Sequence, residues 1–196
     1  MKNSPNRIKE WQRKATESGP DLMIFQVRFD WYSSPRTGKT MKRVVLEAPD
    51  WVNILALTPA NEILLVRQFR FGSGHITSEI PAGLVDPGET PLQAAIRELK
   101  EESGYTSEKW SDLGSVDPNP AFLNNRCHHF LAEEIVKTGE PDLDEGEDIE
   151  VVLMDFDRIR DAVKQGTIDH VLALSAFSRL PELWYHIYPA GNDQTK

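Results

Sequence analysis

The chain has 196 residues, of which 22 are basic and 31 acidic, for a formal net charge of -9. With 39% hydrophobic and 27% charged residues, it has the make-up of a soluble globular chain, one large domain or one domain with an extension. That composition excludes full disorder, since its Leu, Ile, Val and Phe clusters can offset the entropy of ordering. The acidic balance is also opposite to that of proteins that wrap nucleic acid polymers.

The opening MKNSPNRIKEWQRK has no apolar stretch and predicts no secretory signal. The lead-in is polar. Two strand-like runs follow, Leu22 to Phe29 and Met41 to Leu46, joined by a turn holding Ser33, Ser34, Pro35 and Gly38. Two strands are marginal alone. Residues 1–47 are therefore expected to form an N-terminal β extension that packs on the rest or on a second subunit. A core domain of residues 48–196 is expected to follow.

Within it, Val52 to Leu57 and Glu62 to Arg67 are apolar runs around Thr58-Pro59-Ala60-Asn61, which reads as a hairpin. Phe69 to Pro81 is mixed extended chain. No apolar run approaches the roughly 20 residues that cross a bilayer, so no membrane association is expected. A helix then begins. Thr90 is its N-cap, Pro91 takes the first position and Gln93 completes a capping box. Leu92, Ala95, Ile96 and Leu99 are expected to form one buried stripe, and Gly104 stops the helix. Strands are expected around Trp110 to Val116, Cys127 to Ala132 and Val151 to Phe156, and further helices near Arg158 to Gln165 and Asp169 to Leu180. The class is mixed α/β with a sheet that is not purely parallel.

The first helix holds an anomaly. Glu98, Glu101 and Glu102 cluster on one side of it, at spacings where like charges repel. They also lie in the C-terminal half, where the helix dipole disfavours anions. A divalent cation would relieve all of this, and carboxylates are hard ligands suited to Mg²⁺ or Mn²⁺. A solvated acidic face paired with Arg97 and Lys100 is the alternative.

The surrounding residues decide between the two. Gly83-Leu84-Val85-Asp86-Pro87-Gly88-Glu89, seven residues, then Arg97-Glu98-Leu99-Lys100-Glu101-Glu102-Ser103-Gly104-Tyr105, resembles the Nudix box with every fixed position filled and Tyr105 as an aromatic variant at its end. The resemblance extends over about residues 48–180. It implies an α/β/α sandwich with a mixed sheet, and a loop-helix-loop that holds divalent metal against a diphosphate. The implied metal ligands are Glu98 and Glu102, with Glu101 close by, and the backbone carbonyl of Ala82. Gly83, Glu89 and Arg97 would support the site. Two or three Mg²⁺ ions, with Mn²⁺ as substitute, are implied.

The flanks narrow the substrate. Ser78-Glu79-Ile80-Pro81-Ala82-Gly83 resembles the lead-in of ADP-ribose and nucleoside diphosphate sugar hydrolases, and Pro120, 16 residues past Gly104, resembles a marker of that group. By the same resemblance Arg70 would contact phosphate or nucleotide, with Leu84 of the box loop beside the substrate. Trp51 could stack a base. Arg43 could reach the nucleotide of a partner subunit in a homodimer, as related dimers do. The expected activity is hydrolysis of a nucleoside diphosphate sugar such as ADP-ribose to a nucleoside monophosphate and a sugar phosphate. The alternatives are another nucleotide substrate (a dinucleoside polyphosphate, NADH or an oxidised nucleoside triphosphate) and a non-hydrolytic ADP-ribose- or NAD-binding module.

Metal-bound glutamates are poor bases, because the cation stabilises their ionised form. In similar hydrolases the base comes from a mobile acidic loop after the core strands, and by that resemblance Glu140 to Asp148, which carries no Lys or Arg, fits the slot. Glu145 is the first candidate, Glu147 an extra metal ligand and Glu140 the rival. Cys127-His128-His129 reads as a strand with polar outer positions, since adjacent side chains point to opposite faces and the two histidines cannot easily share an ion. One cysteine excludes internal disulfides and fits a reducing, cytoplasmic compartment.

Overall fold

The computed structural model describes residues 8–184 and divides into two compact units. The first takes the chain up to Pro49 together with Asp117–Asn125. Strands β1 (Gln12–Asp21), β2 (Gln26–Ser33) and β3 (Thr40–Glu47) form its antiparallel sheet in that order. The later segment joins it where the Leu46 N–H donates to the Phe122 carbonyl at 2.8 Å.

Two expectations fail in this unit. The polar lead-in is the ten-residue strand β1, and Leu22 to Ile24 belong to the exposed turn after it. Its sequence does not alternate, because pairing with β2 satisfies its backbone whatever its side chains are. Polar contacts help to fix it: the Thr16 hydroxyl donates to the fully buried Asp30 at 2.6 Å, and Arg13 and Arg28 pair with the same carboxylate.

The second unit holds Asp50–Val116 and the chain from Arg126 onward. Its elements are β4 (Trp51–Ala56), β5 (Glu62–Arg70), β6 (His75–Glu79), β7 (Ala82–Leu84), α1 (Pro91–Ser103), β8 (Tyr105–Thr106) and β9 (Lys109–Val116). They continue with β10 (Cys127–Glu133), β11 (Val136–Lys137), β12 (Ile149–Asp155), α2 (Phe156–Gln165), α3 (Val171–Phe177) and α4 (Pro181–Trp184). One sheet runs β7-β4-β10-β9, with β4 and β10 parallel and the other pairs antiparallel; a second runs β12-β5-β6. The pair β8-β11 stands beside them.

The expected hairpin between the first two core runs is corrected here. β4 and β5 lie in different sheets and share no ladder, and the isolated Leu57–Ile63 bridge closes the turn between them. The physical reason is visible in their burial: Val52 to Leu57, apolar but for Asn53, and Ile63 to Val66 are buried on both faces, as strands covered on both sides are. Alternate residues of β4 feed two cores. Val52, Ile54 and Ala56 pack with Ala94, Ala95 and Leu99 of α1, while Leu55 and Leu57 pack with Ala173, Ala176 and Phe177 of α3 and with Ile159 of α2. Helices on both sides of the strands make this unit an α/β/α sandwich.

The helix signals hold in full. Thr90 Oγ1 accepts from the Gln93 N–H, the Gln93 side chain accepts from the Thr90 N–H at 2.8 Å, and Gly104 ends α1 in the left-handed region at φ 72°. The buried stripe, however, is rotated from the expected one. Leu92 and Ile96 are exposed; Ala94, Ala95, Leu99, Glu102 and Ser103 are buried. The two alanines let α1 lie close on β4 and β7, and this brings Glu102 inward.

Candidate active site

The site is built where β7, the loop after it and α1 converge. In β7, Ala82 pairs with Asn53 of β4 and Leu84 with Trp51. The Glu102 carboxylate, almost wholly buried, accepts the Ala82 N–H at 3.0 Å. One helical turn earlier, Glu98 faces Gly83: a Cβ at Gly83 would overlap its carboxylate. Glycine is required here for close approach, not for an unusual backbone angle.

Arg97 ties the box together. It forms a bidentate pair with Glu89 at 3.0 and 2.9 Å and donates to Glu98 at 2.8 Å, to Glu101 at 3.0 Å and to the Leu84 carbonyl at 3.0 Å. One guanidinium therefore fixes both ends of the loop to the helix. Its hydrogen bonds hold Glu89 below the usual carboxylate range.

Glu98 and Glu102 behave differently. Burial pushes Glu98 up to about 7 despite Arg97, and the charges of Glu101 and Glu147 add to the rise. Burial drives Glu102 well above its ordinary value as well, with Glu98 and Glu147 pushing the same way. Two desolvated carboxylates one turn apart stand beside an approachable backbone, and Arg97, shared with Glu89 and Glu101, offsets the burial of Glu98 only in part. The donor set suits a hard divalent cation, which takes one or two carboxylates and completes its shell with water and phosphate. Among the described residues no three His, Cys, Asp or Glu side chains already stand in coordination geometry.

Arg70, at the end of β5, forks onto Glu79 of β6 through Nε to Oε1 and Nη2 to Oε2, each 2.8 Å. The charges of Glu102 and Glu147 also act on it. Trp51 and Leu84 are cross-strand neighbours, both part-buried, next to the box loop. Arg43 lies in the other unit, exposed on β3, with its guanidinium 5.8 Å from the Trp11 ring centre.

The acidic loop is tethered to α1 where the Asp142 N–H donates to the Glu101 carbonyl at 2.8 Å. Of the three carboxylates singled out there, Glu147 is the one whose charge acts on Glu98, Glu102 and Arg70. All three are exposed, and Glu140 pairs with Lys137 at 3.1 Å.

Two findings were not foreseen. Glu79 stands in the lead-in to the box without an assigned role, yet it is fully buried against Arg70. Period-2 alternation along Thr77 and Glu79, on a strand paired with the end of β5, was the available signal. Cys127 and His129 are also fully buried, so that strand does not carry polar outer positions on this face. His129 meets Ser175 of α3 at 3.1 Å, and burial pushes the Cys127 thiol up to about 12, away from nucleophilic use. His128, on the other face, pairs with Asp50 at 2.9 Å.

Comparison with known proteins agrees with this architecture. The NUDIX domain profile matches residues 49–174. The chain belongs to the Nudix family. It is 40% identical over 116 residues to the ADP-ribose pyrophosphatase of Bacillus subtilis, covering 59% of this chain and 63% of that one. It is 33% identical over 132 residues to the methanol dehydrogenase activator of Bacillus methanolicus, covering 67% and 71%. It is 37% identical over 138 residues to the ADP-sugar pyrophosphatase of Mus musculus, covering 59% and 63%. The chain thus spans less than two thirds of the length of both pyrophosphatases. A crystal structure described as an ADP compounds hydrolase has a TM-score of 0.79 at 20% identity, covering 92% of this chain and 97% of that one, a likeness of fold.

Proposed function

We propose that this protein is a Nudix pyrophosphohydrolase that cleaves the diphosphate of ADP-ribose and related nucleoside diphosphate sugars, releasing a nucleoside monophosphate and a sugar phosphate. The observation that carries the proposal is the desolvated pair Glu98 and Glu102 facing the Ala82–Gly83 backbone. The substrate class rests on the names of the two pyrophosphatase relatives.

Glu98, Glu102 and the Ala82 carbonyl would hold Mg²⁺, with Mn²⁺ as substitute and Glu101 at the edge. Two or three ions are the number proposed. Bound cation supplies neutralisation of the diphosphate oxygens and a water of lowered pKa. Arg97 and Glu89 keep the loop and helix in register, so the ligand carboxylates stay in place when substrate arrives. Arg70 offers a fork to phosphate oxygens, and Leu84 and Trp51 would lie beside the nucleotide. Proton removal from the attacking water falls to the acidic loop. We place Glu147 first, because its charge acts on the site carboxylates, ahead of Glu145 and Glu140.

The site is proposed to work in a cytoplasmic homodimer, with residues 1–47 as its dimerising extension and Arg43 contributing to the partner's site. The free Cys127 thiol is consistent with a reducing compartment. Among the described residues no helix is long and apolar enough to cross a membrane.

The test is turnover. With Mg²⁺ present, ADP-ribose should give AMP, EDTA should abolish the reaction and Mn²⁺ should restore it at least in part. A panel of ADP-ribose, GDP-mannose, UDP-glucose and NADH ranks the substrates by kcat/KM. No turnover on any of the four overturns the reading. Light scattering at micromolar concentration tests the dimer, and a fully active monomer refutes it.

A further inference from the structure

Arg70 and Glu79 form a clamp whose design exceeds what the fold needs. Glu79 is fully buried, while the Arg70 side chain is 43% exposed. The fork occupies Nε and Nη2. The Thr77 hydroxyl donates to Glu79 Oε1 at 2.5 Å, and His170 Nδ1, at the N-cap of α3, lies 3.5 Å from Oε2. Among the described residues no protein acceptor takes the Nη1 hydrogens of Arg70.

Burying a carboxylate is costly, and a well-packed apolar pair of similar volume is often no less stable than an ion pair. A residue that served only to pack β6 would not need this charge. What the clamp does is restrict Arg70. A free arginine has four rotatable side-chain bonds, and two anionic neighbours, Glu102 and Glu147, would attract its guanidinium. Paired with them, it would neutralise carboxylates that the site needs for cation. Held by Glu79, it keeps its Nη1 edge open and its orientation fixed before substrate arrives, which reduces the ordering cost of binding.

We propose that Glu79 is a positioning residue that locks Arg70 in a fork so that the open Nη1 edge is presented to the diphosphate of the substrate. The proposal rests on the reading of Arg70 as a substrate contact, and adds to it a fully buried residue that touches no substrate. Thr77 and His170 complete the frame around the Glu79 carboxylate.

The test is a double-mutant cycle on the full chain, with kcat and KM for ADP-ribose at saturating Mg²⁺ measured for wild type, Arg70→Ala, Glu79→Gln and the double variant. Arg70→Ala is expected to lower kcat/KM by about tenfold or more, mainly through KM. Glu79→Gln should cost about tenfold in the same parameter. The double variant should match Arg70→Ala within about twofold, since Glu79 acts only through the arginine. Assays are run below the melting temperature of every variant. Glu79→Asp, which keeps the charge and shortens the reach, serves should the Gln variant not fold, and is expected to lose kcat/KM in the same non-additive way.

If Arg70→Ala costs tenfold while the Glu79 variant is silent, or the two losses multiply, the clamp is overturned and the substrate-contact reading stands. If Arg70→Ala is silent, both fall. If the wild-type protein does not hydrolyse ADP-ribose, the functional reading fails on its own. The same cycle read as calorimetric Kd for ADP-ribose then decides the clamp: non-additive weakening supports it, and unchanged Kd overturns it.

Discussion

A Cβ placed on Gly83 would lie 1.9 Å from Oε1 of Glu98. Strand β7 and helix α1 therefore touch through a glycine and a carboxylate, with no room for a methyl group. The carboxylate is the far end of a flexible side chain, so Gly83→Ala is expected to displace Glu98 and leave the fold in place. The expected outcome is a fall in kcat of about 10²-fold, the scale of losing an oriented ligand, with the folded state retained by circular dichroism. Wild-type kcat in this variant would show that Glu98 does not need its present position.

Glu98→Gln and Glu102→Gln should each lower kcat by about 10²-fold or more at saturating Mg²⁺. Stability should move the other way in EDTA. The folded-state pKa of Glu98 is raised to about 7, so its contribution is full below the unfolded value near 4.5 and is lost as pH rises through about 7. The Gln variant escapes that loss. At pH 8 it should gain as much as about 3 kcal/mol over metal-free wild type, less the weakened Arg97 pairing, and nothing at pH 4. Urea unfolding at the two pH values measures this. A Glu98→Gln protein less stable than metal-free wild type at pH 8 would contradict the desolvation argument.

The helix and its caps were legible in the sequence because Thr90, Pro91, Gln93 and Gly104 act locally, each on neighbouring backbone groups. The clustering of Glu98, Glu101 and Glu102 on one helix was legible from their spacing, but their reading as a site came from the resemblance of the surrounding residues to the Nudix box. What could not be read was which side chains tertiary contact removes from water. Leu92 and Ile96 look like core residues by periodicity, yet Ala94 and Glu102 join Ala95 and Leu99 on the buried face in their place. Glu102 is thus part of the packed surface, although its chemistry suggested a solvated position. The pairing of β4 with β10 and β7 was hidden for a related reason. Both-face burial looks the same in a hairpin as in strands of separate sheets, and the partner of β4 lies about 75 residues further along the chain.

His129 gives a separate test of the core. It is fully buried, with Ser175 at 3.1 Å, and burial lowers its pKa to about 4. The unfolded chain takes up a proton near pH 6.5, while the folded chain resists until about 4. Its stabilising contribution is therefore present above pH 6.5 and lost as pH falls toward 4, by on the order of 3 kcal/mol. Glu98 and Glu102 slope in the opposite direction, so wild type alone is ambiguous. The difference between wild type and His129→Gln, measured by urea unfolding at pH 7.5 and pH 4.5, isolates the histidine. It should shrink or reverse in favour of the variant at the lower pH. A difference that does not change with pH would mean the ring is not held neutral.

The last prediction concerns the loop between β11 and β12. Glu147 caps its own turn by accepting the Asp144 N–H at 3.1 Å, and its charge acts on both Glu98 and Glu102. A base must keep its proton affinity, so it should stand near the carboxylates proposed to bind metal without being one of them. Glu147, which the sequence offered as an extra metal ligand, is proposed instead as the base at the loop end nearest β12. Glu145 stands two residues earlier, and its charge is not among those acting on Glu98 or Glu102, while Glu140 is engaged by Lys137. At saturating substrate and Mg²⁺, Glu147→Gln is expected to lower kcat by about 10²-fold or more with little change in KM, and Glu145→Gln and Glu140→Gln by no more than a few-fold. A large loss at Glu145 instead would move the base two residues along the same loop. Three variants all close to wild type would remove the base from this loop, leaving Glu101, the most exposed of the three carboxylates in the helical cluster, as the next residue to replace.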